Sequence, residues 1–177
     1  MKFIIFFALL MLTLTGCRQA PHERHYQEIM VEAPSASSLT WQIPLGWKQG
    51  TGDQMRLVRF YSLAHPQAMD CSITVLAGDA GGLQANLARW FRQLGVAPTD
   101  DILNQLQSSS QTVSSADHHE IKVFDFTALE TNPNKSMLAA VMSLDDLTVF
   151  IKMTGPIDAL QANRVNYFQF LSSMRLR

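Results

Sequence analysis

The chain of 177 residues lacks most of the features that would name a chemistry. It has two cysteines, Cys17 and Cys71, so it has no disulfide framework of the kind that supports small secreted domains. Only 16% of its residues are charged, the formal net charge is −1, and the lysines and arginines are scattered along the chain. The sequence therefore lacks the basic stripe that is typical of nucleic-acid binding, and we expect no nucleic-acid partner.

Catalytic and cofactor-binding motifs are also missing. There is no G-x-S-x-G elbow and no H-E-x-x-H helix. The glycine-rich loop from Gly78 to Gly82 matches neither the dinucleotide fingerprint nor the P-loop, which also requires a Lys-Ser/Thr pair. Asp79 would place a negative charge where a phosphate should bind, so we interpret it as a cap or first-turn acid of the following helix. We predict no cofactor.

Candidate catalytic side chains do not form a matched set. The segment 117–120, Asp-His-His-Glu, enters a predicted strand, where neighbouring side chains point to opposite faces. At most His118 with Glu120, or Asp117 with His119, would share a site. We predict no catalytic residue; a deep pocket lined by these histidines or by Asp100 would favour an enzyme instead.

Cys71 opens the strand-like segment CSITVL, in which Cys71, Ile73 and Val75 fall on one face. No cation adjoins it in the sequence, and a thiol needs such a neighbour to become reactive. We predict a buried, inert thiol.

The N-terminus carries the first positive indication. Phe3 to Leu14 is an almost unbroken apolar run of 12 residues that follows the single charge of Lys2. As a helix it would be about 18 Å long, which is too short to cross a hydrocarbon core of roughly 30 Å. A short apolar run between a positive charge and small residues is typical of a secretory signal peptide, which we place at 1–16.

The next residues, Leu14-Thr15-Gly16-Cys17, resemble the lipobox of bacterial lipoprotein precursors. The resemblance implies cleavage before Cys17, a thioether-linked diacylglycerol on its sulfur and a further acyl chain on its amine. Two or three chains make a stable membrane anchor, whereas one gives marginal binding. Arg18 follows the cysteine in place of the aspartate that retains enterobacterial lipoproteins at the inner membrane, so the outer membrane is favoured. The alternative is a secreted protein in which Cys17 is incidental.

Residues 17–37 are polar and contain two prolines, and we interpret them as the lipidated cysteine and a tether. A flexible tether of this length spans roughly 25 Å. Ile29 to Val31 could shorten it by forming an edge strand. His22 and His25 lie three residues apart in this segment, but they lack a third ligand and supporting shell, so we predict no metal site.

Residues 38–177 read as a single α+β domain. Leu39 opens the first strand, and the segment 108–119 is either a loop or a weak edge strand. Asp145-Asp146 is interpreted as the turn of a hairpin. Strands are predicted over Gln54 to Leu63, Cys71 to Leu76, His119 to Ala128, Ser136 to Leu144 and Leu147 to Thr154, and helices over Leu83 to Leu94, Thr99 to Gln107 and Ile157 to Met174. This order predicts a mainly antiparallel sheet sandwiched between helices.

The domain resembles the PsbP-like α/β/α sandwich superfamily. The residues that carry the resemblance are Trp41-x-x-Pro44-x-Gly46-Trp47 leading to Met55-Arg56, Gly81-Gly82-x-x-x-Asn86-x-x-Arg89-Trp90, and Thr154-Gly155-Pro156 before a Phe-rich helix. The resemblance spans nearly all of 39–177 and implies an accessory or binding protein rather than an enzyme.

We therefore expect a non-enzymatic binding or assembly-accessory module in the cell envelope, attached to the membrane through its lipid. An enzyme of unknown reaction and a purely structural envelope protein are the alternatives. Arg56, placed on a strand face with Val58 and Phe60, and Asn86 with Arg89, on one flank of a helix, are predicted to form a polar patch for an envelope protein partner. The alternative is a solvated rim.

The same helix carries Trp90 and Phe91 at positions that face the sheet. We predict that these two aromatic side chains anchor the helix.

Overall fold

The structure is a computed structural model that describes residues 39–64, 68–129 and 132–176. The predicted signal peptide, Cys17, the tether with His22 and His25, and the possible strand at 29–31 lie outside the described residues.

A seven-stranded sheet forms the centre of the domain, with the strand order β2-β3-β4-β8-β7-β6-β5. Every neighbouring pair is antiparallel, and β1 pairs with β9 in a separate two-stranded sheet that joins the two ends of the described domain. The strands are β1 (Leu39–Thr40), β2 (Trp47–Thr51), β3 (Val58–Ser62), β4 (Asp70–Ala77), β5 (Gln111–Ser114), β6 (Glu120–Asp125), β7 (Ser136–Ser143), β8 (Leu147–Gly155) and β9 (Arg175–Leu176).

Helices cover both faces of this sheet. They are α1 (Leu83–Gln93), α2 (Asp100–Ser108), α3 (Ile157–Ala162) and α4 (Arg164–Ser173), and a 3-10 helix (Phe126–Leu129) follows β6. The first two pack on one face and the last two on the other. The chain thus has an α+β fold with a large antiparallel sheet between helices, as predicted.

The core between the sheet and α3/α4 is the larger of two. It is centred on Phe60, Phe170 and Tyr167, which are fully buried, and it receives apolar side chains from β2, β3, β4, β6, β7 and β8. The Tyr167 hydroxyl donates a hydrogen bond to the Ile151 carbonyl at 2.7 Å. This pairing satisfies the one polar atom that the tyrosine brings into the core.

The second core lies between α1/α2 and strands β6, β7 and β8. The Trp90 ring meets Phe150 edge to face at 5.5 Å between centroids, and Phe91 meets Phe126 at 5.0 Å. Trp90 and Phe91 are buried and anchor α1 to the sheet, as predicted.

The α1/α2 side of the sheet is covered over only part of its width. Across the paired strands, Arg59 on β3, Ser72 on β4, Lys152 on β8 and Ala139 on β7 form one row on this side. Ala139 belongs to the second core, whereas Arg59 and Lys152 are only partly buried. We call the α1/α2 side of β2, β3 and β4 the uncovered part of the sheet.

Two differences from the sequence interpretation affect β2 and β3. The predicted strand from Gln54 to Leu63 begins only at Val58, because Asp53 Oδ1 accepts the backbone N–H groups of Met55 and Arg56 and holds a turn there. Arg56 therefore precedes the strand and does not share a strand face with Val58 and Phe60. Strand β2 was not predicted, since WKQGT is polar and contains a glycine.

Other boundaries also differ. The predicted helix from Ile157 to Met174 is two helices, which meet at Asn163. The strand predicted to reach Ala128 ends at Asp125, where the carboxylate accepts hydrogen bonds from the backbone N–H and hydroxyl of Thr127.

Turns and caps follow the predicted pattern in part. The segment 108–119 contains the edge strand β5. The Leu144 N–H donates to the Leu147 carbonyl and closes the predicted hairpin turn at Asp145 and Asp146. The predicted helix from Thr99 to Gln107 is α2, and Thr99 caps it by accepting the Ile102 N–H. Asp79 does not cap α1, because Gly82 occupies that position, and the Asp79 carboxylate instead accepts the Gly81 N–H.

Candidate functional site

A cleft of about 520 Å³ opens where α1 meets the uncovered part of the sheet. Its lining includes all three residues of the predicted polar patch, Arg56, Asn86 and Arg89, together with Lys152. These residues come from the β2–β3 loop, from α1 and from β8, so the fold brings together side chains that are almost 100 positions apart.

Arg56 is positioned by the tight loop between β2 and β3. The Asp53 N–H donates to the Arg56 carbonyl at 2.9 Å, and the two backbone bonds to the Asp53 carboxylate lower its pKa, aided by the charge of Arg56. A Cβ on Gly52 would lie 2.0 Å from the Arg56 carbonyl oxygen, so the loop requires glycine there. The guanidinium Nη1 of Arg56 lies 3.6 Å from Asp53 Oδ2 and 3.8 Å from Asp70 Oδ2.

Both distances to Arg56 are long for a hydrogen-bonded ion pair. The Asp70 carboxylate is already engaged by Arg59, which donates to both of its oxygens at 3.1 and 2.9 Å. The pKa of Arg59 is raised by this bond and by the charge of Asp70. Arg56 is thus held near two carboxylates, and no described residue gives it a closer, dedicated partner.

Arg89 is positioned by Asn86, which is 1% exposed. The Asn86 amide donates to the carbonyls of Ala80 and Gly82 at 3.1 and 2.8 Å, and its Oδ1 accepts from Arg89 Nη1 at 2.7 Å. Asn86 therefore has almost no free surface of its own, and its place in the predicted polar patch is to hold Arg89. The glycine-rich loop supplies the carbonyls that hold Asn86.

Lys152 was missed by the sequence interpretation. It lies opposite Ser72 on β4, its Nζ donates to Gln93 Oε1 at 3.3 Å, and it stands 6.0 Å from the Trp90 ring centroid. Burial lowers the pKa of Lys152, and the charges of Arg56 and Arg89 lower it further. A lysine inside the otherwise apolar β8 was the signal that could have identified it.

The cleft combines these cations with an apolar wall. Trp90, Phe150 and Leu76 contribute to its lining, and Met55, 72% exposed, stands at its rim. Among the residues that the structure describes, Arg56, Arg89 and Lys152 line the cleft with one carboxylate, that of Asp53. The arrangement attracts an anion and offers an apolar surface beside it.

The histidines near residue 118 form no comparable site. Asp117 Oδ1 accepts the Ser115 hydroxyl at 2.5 Å, and Oδ2 lies 3.6 Å from His119 Nε2 and accepts the Leu176 N–H at 2.6 Å. The aspartate thus lies between serine and histidine, whereas nucleophilic catalysis needs the histidine between them. Burial raises the pKa of Asp117, but the bonds from Ser115 and Leu176 outweigh it, and the pKa is lowered. The network ties β9 to the domain.

A larger groove, of about 820 Å³, runs along α4 beside β5 and β9. Its Arg164 is paired with Asp125, and Val165 beside it is 69% exposed. Because no set of unpaired charges from residues 39–64, 68–129 and 132–176 converges on this groove, we favour the cleft beside α1 as the functional site, although the cleft is smaller. Neither the groove nor the cleft is lined by His118, His119 or Asp100.

Three further features of the described residues bear on function. No group of three or more His, Cys, Asp and Glu side chains among them could hold a metal ion. None of the helices described is long and apolar enough to cross a bilayer. Cys71 is buried, and burial raises the pKa of its thiol, in keeping with an inert group.

No protein-family model matches the chain, and no curated protein matches it. Among solved structures, the chain is similar to the solution structure of the cyanobacterial PsbP protein CyanoP from Synechocystis sp. PCC 6803. The two are 10% identical, with 81% of this chain and 89% of that chain covered and a TM-score of 0.47.

It is also similar to the crystal structure of a protein from Bacteroides thetaiotaomicron VPI-5482. Here the identity is 11%, the TM-score is 0.44, and 80% of this chain and 46% of the other are covered. The chain thus spans less than half the length of the Bacteroides protein.

Proposed function

We propose that this chain is a lipid-anchored envelope protein whose folded domain is a non-enzymatic binding or assembly-accessory module, with the cleft as its recognition site. The observation that carries the binding function is the convergence of Arg56, Arg89 and Lys152 on one cleft beside Trp90. Arginine and tryptophan are among the residues that contribute most to protein interfaces, especially where they border a pocket.

The charge state of the cleft supports this reading. Within the described parts of the chain, neither Arg89 nor Lys152 forms an ion pair with a carboxylate. Their hydrogen bonds go to the neutral amides of Asn86 and Gln93. Cations that are held in place by neutral groups keep their charge available for a ligand.

The lipid anchor is supported by the sequence. Leu14-Thr15-Gly16-Cys17 follows a short apolar run, and Arg18 favours the outer membrane with the domain in the periplasm. Mass spectrometry of the mature N-terminus should find acylated Cys17, and Cys17→Ser should release or mislocalise the protein. An unmodified Cys17, or cleavage at another bond, would contradict the anchor.

The binding function is tested by quantitative capture from detergent-solubilised envelopes. Lipidated protein carrying Arg56→Glu and Arg89→Glu should retain less of the partners held by the unmodified protein, because charge reversal repels an anionic surface. Lys122→Glu is the control, since Lys122 is exposed on β6 outside the cleft. If the double variant captures as much of the partners as the Lys122→Glu control, and both variants have the melting temperature of the unmodified protein, the cleft has no role in binding.

A further inference from the structure

The charged and apolar side chains of the cleft determine which class of ligand the proposed binding function would involve. Its three cations approach from three separate segments, so a group that enters the cleft meets positive charge from several directions. An arginine fork such as that of Arg89 matches the two oxygens of a carboxylate. The Nη1 atom of this guanidinium donates a hydrogen bond to Asn86 Oδ1, so the Arg89 side chain has less rotational freedom before a ligand binds.

The carboxylate at the rim weakens the attraction of the cleft for any anion. Asp53 is about half exposed and lines the same cleft, and Asp70 lies 3.8 Å from Arg56. Charge alone therefore does not select a carboxylate over a phosphate, and the apolar surface beside the cations has to favour a carboxylate that carries an apolar group.

The accessible apolar surface defines the rest of the ligand. Trp90 and Phe150 line the cleft but are only 3% and 5% exposed, so its accessible apolar atoms belong mainly to Met55, which is 72% exposed, and to partly buried Leu76. A ligand that brings an apolar or aromatic group beside its carboxylate would cover Met55 and Leu76. The volume, about 520 Å³, lies within the range of roughly 300 to 1,000 Å³ that is usual for ligand sites.

We propose that the cleft binds an acidic side chain of a partner protein together with a neighbouring aromatic side chain. The carboxylate lies among Arg56, Arg89 and Lys152, and the aromatic group packs against Met55 and Leu76. This inference rests on the proposed function and names the chemistry of its partner. The uncovered part of the sheet beside the cleft leaves room for the partner's chain next to the inserted pair.

The test uses a matched pair of probes, N-acetyl-Glu-Phe-amide and N-acetyl-Gln-Phe-amide, titrated into the full mature protein in detergent. Binding is read from the indole N–H resonance of Trp90 in NMR spectra. The glutamate probe should bind at least about tenfold more tightly than the glutamine probe, because only the former carries the charge. N-acetyl-Glu-Ala-amide should bind more weakly than the Glu-Phe probe, since it leaves Met55 and Leu76 uncovered.

Substitutions in the cleft test whether the probe binds there. Arg89→Gln and Lys152→Met should each weaken binding of the Glu-Phe probe about tenfold or more. Lys48→Gln should not, because Lys48 lies on β2 opposite Tyr61, on the uncovered part but outside the cleft. Thermal melting of each variant separates loss of binding from loss of fold.

Several results would overturn the inference. They are equal binding of the Glu and Gln probes, binding that survives both cleft variants, and inorganic phosphate binding more tightly than the Glu-Phe probe. If the probes fail while envelope capture still depends on Arg56 and Arg89, the ligand chemistry is wrong and the binding function stands. If capture is also independent of these arginines, both proposals fail.

Discussion

The two sides of the central sheet are built differently. On the α3/α4 side, apolar side chains run across almost the whole width, from Trp47 on β2 to Ile121 on β6. On the α1/α2 side the buried apolar side chains of the sheet come from β6, β7 and β8, with partly buried Leu76 of β4 packed against them, and charged side chains follow on β3 and β4. One side therefore supplies stability over its full area, which leaves the other free to expose a cleft at the border of its helix layer.

The difference explains why the charges of the uncovered part are tolerated. Arg59 and Asp70 form a bidentate pair on strands that are held from behind by the larger core. Exposed pairs typically contribute about 0.2 to 1 kcal/mol, and the bidentate geometry of this part-buried pair places it toward the upper end of that range. Because the larger core also holds these strands, charged side chains are tolerated on their other side.

The largest effect is expected on the fully covered side. Phe170 is fully buried and meets Phe60 at 4.9 Å and Trp47 at 5.7 Å between ring centroids. Phe170→Ala should lower the free energy of unfolding by about 3 to 5 kcal/mol, because it removes a buried ring and leaves a cavity. Urea unfolding measures this loss; a change below about 1 kcal/mol would mean that this core is not the main source of stability.

Trp90→Ala tests the partly covered side. The ring packs against Phe150 and Phe126 but also borders the cleft, so water can fill part of the space that it leaves. We expect a loss at the lower end of the same range, about 3 kcal/mol, and a clear fall in melting temperature. If the variant melts like the unmodified protein, Trp90 is not an anchor and becomes a candidate contact for the partner only.

Tyr167→Phe should have an intermediate effect. It removes the hydrogen bond to Ile151 without creating a cavity, which costs about 0.5 to 1.5 kcal/mol. Burial, followed by the charge of Cys71, raises the pKa of Tyr167 well above its ordinary value, so the folded state favours the neutral phenol. The advantage of tyrosine should therefore be complete below pH 10 and disappear as the pH rises further, whereas the phenylalanine variant lacks this dependence. Urea unfolding of both proteins at pH 7 and pH 10.5 measures the difference.

Much of this architecture could be predicted from the sequence, because it depends on local patterns. The spacing of Leu87, Trp90 and Phe91 predicted α1, and the apolar run around Ala139 predicted the central strand β7. The break at Asn163 was missed, since the apolar spacing continues through it into α4.

The site was predicted only in part. Arg89 was identified through its flank of α1, but the Asp53 turn that moves Arg56 out of the strand depends on a side chain bonding to backbone two and three residues away. Lys152 could not be placed, because its contact with Gln93 depends on how α1 packs across β8. Long-range packing, rather than local preference, assembles the cleft.

The smallest effect on stability is expected at Lys152, and it distinguishes a binding site from a structural one. Burial and the charges of Arg56 and Arg89 lower the pKa of Lys152, so the folded state disfavours its proton. Lys152→Met removes this repulsion, and the free energy of unfolding at pH 7 should stay unchanged or rise by less than about 1 kcal/mol, since solvent screens a half-buried charge.

In the unmodified protein the unfolded chain binds more protons than the folded one just below the ordinary lysine pKa, so stability should rise with pH there. The difference between Lys152→Met and the unmodified protein should accordingly shrink between pH 7 and pH 10. A clear loss of stability in Lys152→Met at pH 7 would mean that the lysine supports the fold; an unchanged or higher stability combined with weaker probe binding means that the protein keeps a repelled charge for its ligand.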